Sequence, residues 1–398
     1  MITKVLLLKQ TAMIKHWFYE LGVDLSQMLG PIEMYSSLEM DVQIGDLKIH
    51  AAPAYEKKSD IIRIWTWLKY FFGAIRHVIK SDRRTLIFVV AQPPFLPLLG
   101  YLSNLVRKQK YVIWVDDVMP DLLVRSGRLS VNNIIIKVWK WFNNLIFSRA
   151  EKIFTIGPCM ADLLRQYMTH PNCKVKKAQV IPTWVDVNFI KPIPKKENFF
   201  AKNHGQENKI TVLYSGNLGL THDIETMLEA ARILQTRSNI HFLIIGGGSK
   251  RTIVEKYARE LSNVSFLPFQ PEENIPYSIT TGDIAVVSLD KNFEGISMPS
   301  KTYYMMSGGA AIIGISRRPN DLTKVIEACQ CGYNIEPGDI DGFCELIVHL
   351  AENPKLLEQL RQKSRQAAVE KFSREVNTQI VHDSIFELLY KNNESKQY

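Results

Sequence analysis

The feature that most constrains this chain is alternation. Short, near-continuous runs of Val, Ile and Leu recur from end to end, each followed by a longer helix-like stretch. The runs placed as strands are 4–8, 85–92, 111–117, 152–157 and 179–183, then 210–216, 241–247, 264–269, 284–289 and 310–315. A strand that is apolar at every position is buried on both faces, as in a parallel sheet covered by helices. The class is therefore α/β. At 398 residues the chain is longer than one such core needs and suits two. The polar stretch KPIPKKENFFAKNHGQENK parts the two strand series and reads as a linker over 191–209. Domains are expected at 1–190 and 210–372, with a last helix and tail over 373–398.

Charge divides the chain in the same place. Residues 1–190 hold 25 Lys and Arg against 15 Asp and Glu, and the remainder holds 24 against 25. A positive excess confined to one half implies an anionic partner surface. No zinc-finger, RNP or helix-turn-helix pattern is present, so anionic lipid ranks above nucleic acid. Three stretches are apolar and basic together: 61–80 (IIRIWTWLKYFFGAIRHVIK), 99–110, and 134–149 (IIIKVWKWFNNLIFSR). Lys69, Arg76 and Lys80 fall on one helical face. Cations at these positions and at Arg63 make 61–80 a poor membrane span and a better interfacial helix. An ordinary domain helix with core aromatics is the alternative. Five cysteines without framework spacing suit a reducing compartment, and MITKVLLLKQ has too short an apolar core for a signal peptide. The expected location is cytoplasmic, peripheral at the inner face of the membrane.

Chemistry concentrates in the second half. YSGNLGLTHDIETMLEAARIL ends a strand at Ser215, turns at Gly216 and Gly219, and starts a helix near Thr221 or His222. Such a junction aims backbone N–H groups at a docking anion, usually phosphate. IIGGGSK repeats the strand-then-glycine arrangement, and Phe269-Gln270-Pro271 could present backbone to a flat base. FEGISMPSKTYYMMSGGAAIIGI places Glu294, then Pro299, Ser300 and Lys301, at the mouth of a helix, where an ammonium and backbone amides can stabilise a departing pyrophosphate. Asp339-Ile340-Asp341 has a D-x-D spacing, but it follows Gly338 and opens a helix, so capping is the better reading. Cys329 and Cys331 lack the second pair that a metal site needs.

Together with AQPPFLPLLGYL, VIWVDDVMPDLLVRSGRL, SRAEKIFTIGPCMADLL, VIPTWVDVNFIKP, FLPFQP and GDIAVVSL, these segments make the chain resemble glycosyltransferase family 4, retaining enzymes of the GT-B fold, in its bacterial capsule and exopolysaccharide branch. The resemblance implies two Rossmann-like domains with a cleft between them and a C-terminal helix crossing back to the first. It implies transfer from a nucleotide sugar to a lipid-linked or glycan acceptor, without metal or other cofactor. Position by position, Lys301 and the loop holding Gly216, Asn217, Gly219 and His222 would take the diphosphate, with Pro299 and Ser300 beside them. Glu294 would face the donor sugar. Gly247 and Gln270 would border the base, and Asp117 would line the cleft from the first domain. The pattern departs from the family's at several points. The second motif acid is replaced, by Thr302 on strict spacing or Tyr304 on alignment of the following residues. Asn217 and His222 stand where Arg and Lys are usual, Asp116 stands where His is common, and the first loop has no glycine before Gly22. The missing acid and the substituted Arg favour one alternative, a non-catalytic GT-B subunit that partners another transferase; a GT-B sugar-nucleotide epimerase is a third reading, which the Pro299-Ser300-Lys301 segment and the membrane-like helices disfavour.

Overall fold

The computed structural model describes residues 4–10, 17–56, 59–219, 222–289, 293 and 295–390. Two compact units partition the chain, the first formed by residues 1–182 and 377–398, the second by 183–376. In chain order the first contains β1 (Lys4–Leu8), α1 (Trp17–Leu29), β2 (Ile32–Ser36), β3 (Val42–Ile44), β4 (Leu47–Ala51), α2 (Asp60–Lys80), β5 (Thr85–Val90), α3 (Pro97–Arg107), β6 (Tyr111–Val115), α4 (Asp121–Arg125), α5 (Ile134–Ser148), β7 (Lys152–Thr155), α6 (Pro158–Leu164) and β8 (Gln179–Val180). Among the described residues its sheet runs β3-β4-β2-β1-β5-β6-β7-β8, parallel throughout except for the β3–β4 pair. The central strands β5 and β6 are buried at every position, as their unbroken apolar sequence requires.

The second unit contains α7 (Phe199–Asn203), β9 (Ile210–Asn217), α8 (Glu225–Ile233), β10 (Ile240–Gly247), α9 (Arg251–Glu260), β11 (Val264–Leu267), α10 (Ile275–Thr280), β12 (Ile284–Ser288), α11 (Lys301–Ser307), β13 (Ala311–Ile315), α12 (Asp321–Cys329), β14 (Gly332–Ile335), α13 (Ile340–Glu352) and α14 (Pro354–Lys371). Its sheet is parallel in the order β11-β10-β9-β12-β13-β14. Strand order reverses between β9 and β12, and ligands of open α/β sheets bind beyond the carboxyl ends of the strands at such a switch point. Val212, Phe242, Ile244, Val286 and Ile313 from the strands meet Met227, Leu228, Phe343 and Ile347 from α8 and α13 in one core. The final helix, α15 (Arg374–Tyr390), starts in the second unit and belongs to the first from Asn377 onward.

Every strand expected from an apolar run is present: β1 keeps its bounds, β9 and β10 gain one residue each, β13 starts one residue later, and the other six end one to three residues early. Four further strands, β2, β3, β4 and β14, were not anticipated. The segment 191–209 is no free linker. Asn198 caps α7 by accepting from the Phe200 and Ala201 amides, Phe200 and Ala201 are buried, and the segment belongs to the second unit. Asp339 caps α13 by accepting from the Gly342 amide, as its sequence context implied.

Candidate active site

The site is built on two strand ends. β9 and β10 pair in parallel with Gly216 opposite Gly246, at φ of 142° and 150°. A Cβ on Gly246 would sit 1.9 Å from the Gly216 carbonyl oxygen, so the close approach of the strands here requires glycine at 246. Gly216 lies beside Lys301, where a Cβ would make ordinary contact with Cδ at 3.4 Å and Nζ at 3.7 Å, so its φ of 142° rather than space calls for glycine.

Lys301 is the first residue of α11. Its stem is partly exposed, but its Nζ is buried and has no hydrogen-bond partner among the described residues. The ammonium rests 3.7 Å from the centroid of the Tyr214 ring, whose hydroxyl donates to the Asn217 carbonyl at 2.8 Å. Burial pushes the Lys301 ammonium down to about 7. Beside it opens a cavity of about 310 Å³ lined by Ser215, Ile245, Phe269, Gln270, Ile275, Ser278, Ile279, Ser300, Lys301, Tyr304 and Met305. Such a volume lies at the small end of ligand sites, which run from about 300 to 1,000 Å³.

Of the other expected residues, Phe269, Gln270, Ser300 and Tyr304 line this cavity. Phe269 is 61% exposed and stands over Gly247, where a Cβ would meet its ring at 3.2 Å. Gln270 turns its amide back to the Pro268 carbonyl at 2.9 Å. The Pro299 carbonyl accepts from the Thr302 amide and hydroxyl, at 3.1 and 2.7 Å. That separates the two candidates for the missing acid: Thr302 is fully buried and bonded locally, whereas Tyr304 is 37% exposed and lines the cavity. Asn217, Gly219 and His222 form the adjoining loop rather than the cavity wall. The Asn217 side chain is wedged between Gly219 and Gly248, and the His222 carbonyl accepts from Lys250 Nζ, which also pairs with Glu225. The helix after this loop starts at Glu225, not near Thr221 or His222, and Thr221 lies outside the described residues. The Asp223 carboxylate accepts from the Thr226 amide and hydroxyl, so this helix end already holds a negative charge. Glu294 lies outside the described residues.

Residues 195–367 match the family described as glycosyl transferases group 1. The match covers 173 of the 398 residues, from 195 to 367. The chain is 25% identical to the Pseudomonas aeruginosa protein named "Probable glycosyltransferase WbjE" over 289 residues, covering 69% of this chain and 70% of that one. Over 110 residues, 27% of each chain, it is 34% identical to WcaI of Escherichia coli (strain K12), named as a colanic acid biosynthesis glycosyl transferase. Its fold matches that of Anabaena HepE, crystallised with UDP, at a TM-score of 0.70 and 14% identity, covering 96% of this chain and all of that one. The chain is thus a glycosyltransferase of the GT-B fold.

In the first unit, the transferase places Asp117 just beyond β6, where its carbonyl accepts from the Met119 amide. Its neighbour Asp116 accepts from Lys9 Nζ at 3.1 Å and from Trp114 Nε1 at 2.6 Å. Lys9 had not been singled out. It is 1% exposed, lies 4.0 Å over the Trp17 ring, and is lowered in pKa by burial against the opposing pull of Asp116. The available signal was a lysine directly after the apolar run KVLLL, at the carboxyl end of a buried strand. Tyr214 was also missed as a support for Lys301. It precedes Gly216 by two residues and so shares its face of the strand.

Proposed function

We propose that this glycosyltransferase moves a sugar from a nucleoside diphosphate carrier to a lipid-linked glycan at the cytoplasmic face of a membrane, with retention at the anomeric carbon, in polysaccharide assembly. The observation that carries the reading is the buried, unpartnered ammonium of Lys301 beside a cavity at the switch point. A charge in that state calls for an anion, and the anion that leaves during sugar transfer is a diphosphate. Lys301 and the amides of the Gly216 and Gly219 loop hold the departing phosphates. Asp223 occupies the end of α8, so Lys301 rather than that helix supplies most of the positive charge. This lysine does the work of a cation, and the transfer is read as metal-independent. Phe269, Gly247 and Gln270 border the base, and Tyr304 takes the ribose side where relatives of the resembled family use an acid. Glu294 is assigned to the donor sugar and Asp117 to the acceptor side.

The membrane part of the reading rests on the outer surface of the first unit. Trp65, Phe72 and Ile79 of α2 and Trp141 and Phe142 of α5 are exposed, by 44 to 65%. Lys69, Arg76 and Lys80 are exposed on α2 as well. Trp67 and Phe71 instead pack on Phe95, so the aromatics of α2 divide between core and surface. No helix among the described residues is long and apolar enough to cross a membrane. Aromatic and aliphatic side chains interleaved with cations bind anionic interfaces.

The test is a panel of radiolabelled sugar nucleotides offered with native membrane lipids to the wild type and to Lys301→Ala. Label should pass to lipid with the wild type and fall sharply with the variant. Transfer that is equal in both would overturn the assignment of Lys301. The same lipids serve for vesicle sedimentation, in which salt should weaken binding without abolishing it.

A further inference from the structure

The loop between β9 and α8 has no lysine or arginine of its own. Residues 215–222 read SGNLGLTH, so backbone amides are what this loop offers an anion. Carbonyl oxygens carry the opposite partial charge, and an amide loop suits an anion only where they are taken up by other donors. From Asn217 on, every described carbonyl of the loop is taken up. The Asn217 carbonyl accepts from the Tyr214 hydroxyl at 2.8 Å, and the Gly219 carbonyl from the His222 amide at 3.1 Å. The Leu218 carbonyl accepts from the Lys250 amide at 2.9 Å, and the His222 carbonyl from Lys250 Nζ at 2.6 Å. One residue, placed between β10 and α9, thus holds both ends of the loop. The amides divide differently. Leu218 donates to the Gly247 carbonyl at 2.8 Å and Asp223 to Ser288 Oγ at 2.6 Å. The Gly219 amide has no acceptor among the described residues.

Lys250 does this without adding net charge. Its Nζ also pairs with Glu225, in the first turn of α8, at 2.8 Å, and its side chain is 15% exposed. The carboxylate balances the ammonium, so what Lys250 brings to the loop is order. We propose that Lys250 is a positioning residue of the transfer reaction: it engages the Leu218 and His222 carbonyls and so leaves the Gly219 amide to meet the diphosphate. The proposal rests on the reading of this loop as part of the diphosphate site. Lys301 supplies the charge there, and Lys250 sets the shape of the amide surface beside it.

The probe is inorganic pyrophosphate, titrated into the full chain by calorimetry, with sugar transfer measured on the same preparations. Three variants divide the contacts. Lys250→Met loses the carbonyl donor and the ion pair, Glu225→Gln loses the pair alone, and Lys250→Arg restores a cationic donor. Lys250→Met should bind pyrophosphate at least about fivefold more weakly, the scale of one net hydrogen bond. It should raise the donor KM and leave the acceptor KM unchanged. Lys250→Arg should recover most of the affinity, and Glu225→Gln should stay within about twofold of the wild type, since half-exposed pairs contribute little. In protein carrying isotope-labelled glycine, pyrophosphate should shift the Gly219 amide resonance of the wild type, a measurement that needs no substitution. A folded Lys250→Met with wild-type affinity overturns the proposal. So does an equal loss in Glu225→Gln, which assigns the effect to the ion pair, or a Gly219 amide that pyrophosphate leaves unmoved. Lys301→Ala separates the two readings. Wild-type pyrophosphate affinity in Lys301→Ala removes the diphosphate site and this proposal with it. Weakened binding in Lys301→Ala beside unchanged binding in Lys250→Met removes the role of Lys250 alone.

Discussion

Two lysines are buried at the carboxyl ends of sheet strands or their following loops, one in each unit, and their surroundings are opposite. Lys9 follows β1 and is answered: Asp116 accepts a hydrogen bond from its ammonium and Trp17 covers its charge. Lys301 opens α11 with an aromatic ring against its ammonium and no hydrogen-bond acceptor among the described residues. Burial lowers the pKa of both, but only at Lys9 does a carboxylate pull it back up. A buried lysine with its own carboxylate is part of the scaffold. One without a partner is, on the function proposed above, held ready for an anion that the protein does not supply. Lys195 in the second unit confirms the distinction, because it too is buried and it too has its carboxylate, Asp283.

The comparison is broken most directly by removing each ammonium. Lys301→Ala should lower kcat/KM by about 3–4 kcal/mol, on the scale of deleting a donor to a developing oxyanion, with little loss of stability. Steady-state kinetics and a melting curve on the same sample check both halves. A variant that melts early and turns over normally would make Lys301 scaffold. Lys9→Met should do the reverse. It leaves Asp116 without its cation, and breaking buried pairs costs about 3–5 kcal/mol. Asp116 retains its Trp114 bond and some solvent contact, so about 2–3 kcal/mol is expected in urea unfolding. A Lys9→Met protein as stable as the wild type would erase the contrast.

The third test is pH. With Lys301 at about 7 in the empty site, binding of a diphosphate holds the lysine charged and raises its pKa. Below pH 7 the lysine is already charged, so its contribution to affinity is constant. Above it, each pH unit should weaken binding about tenfold, until the pKa of the complex is reached. Calorimetry in buffers of different ionisation enthalpy should record proton uptake at pH 8, and Lys301→Met should abolish it. The same lysine affects stability with a defined sign. The unfolded chain binds a proton there up to the ordinary value near 10.5, so the empty fold gains stability from this group as pH rises from about 7. A wild-type affinity flat from pH 7 to 9 would show that Lys301 is charged in the empty site.

The sequence disclosed the strands with long apolar runs and missed short ones interrupted by polar residues, the interior β2 (IEMYS) among them, although it found the edge strands β8 and β11. β5 and β6 are buried on both faces and so are apolar throughout. β3 and β14 lie at sheet edges, and β4 lies beside β3. Their burial is mixed, so VQI, LKIHA and GYNI do not stand out as apolar runs. The stretch 191–209 looked like a linker because its charges are numerous, while its few buried residues, Asn198, Phe200, Ala201 and Gln206, are interspersed with them. Lys301 was legible from its place at a glycine-flanked helix mouth. Its lack of a partner was not, because that depends on Tyr214, a residue 87 positions away whose ring occupies the space a carboxylate would need. The pairing of Lys9 with Asp116 spans 107 residues and leaves no local pattern.

The smallest effect concerns the residue that stands for the missing acid. Tyr304 lies one turn into α11 from Lys301 and lines the same cavity, whereas Thr302 is sealed beneath Pro299. If the phenol reaches the ribose, it supplies one neutral hydrogen bond where a carboxylate would supply charge-assisted ones. Removing it should then cost about 0.5–1.5 kcal/mol, a few-fold to about tenfold in affinity. Tyr304→Phe keeps the ring and its packing, so any loss reports the hydroxyl. The loss should be equal for the free nucleoside diphosphate and the full sugar nucleotide, since both carry the ribose. It should also be independent of pH between 6 and 8, which separates it from the Lys301 effect. Undiminished affinity in Tyr304→Phe would mean that the ring only packs, and that this transferase grips its donor through Lys301 and the glycine loop without a ribose contact from α11.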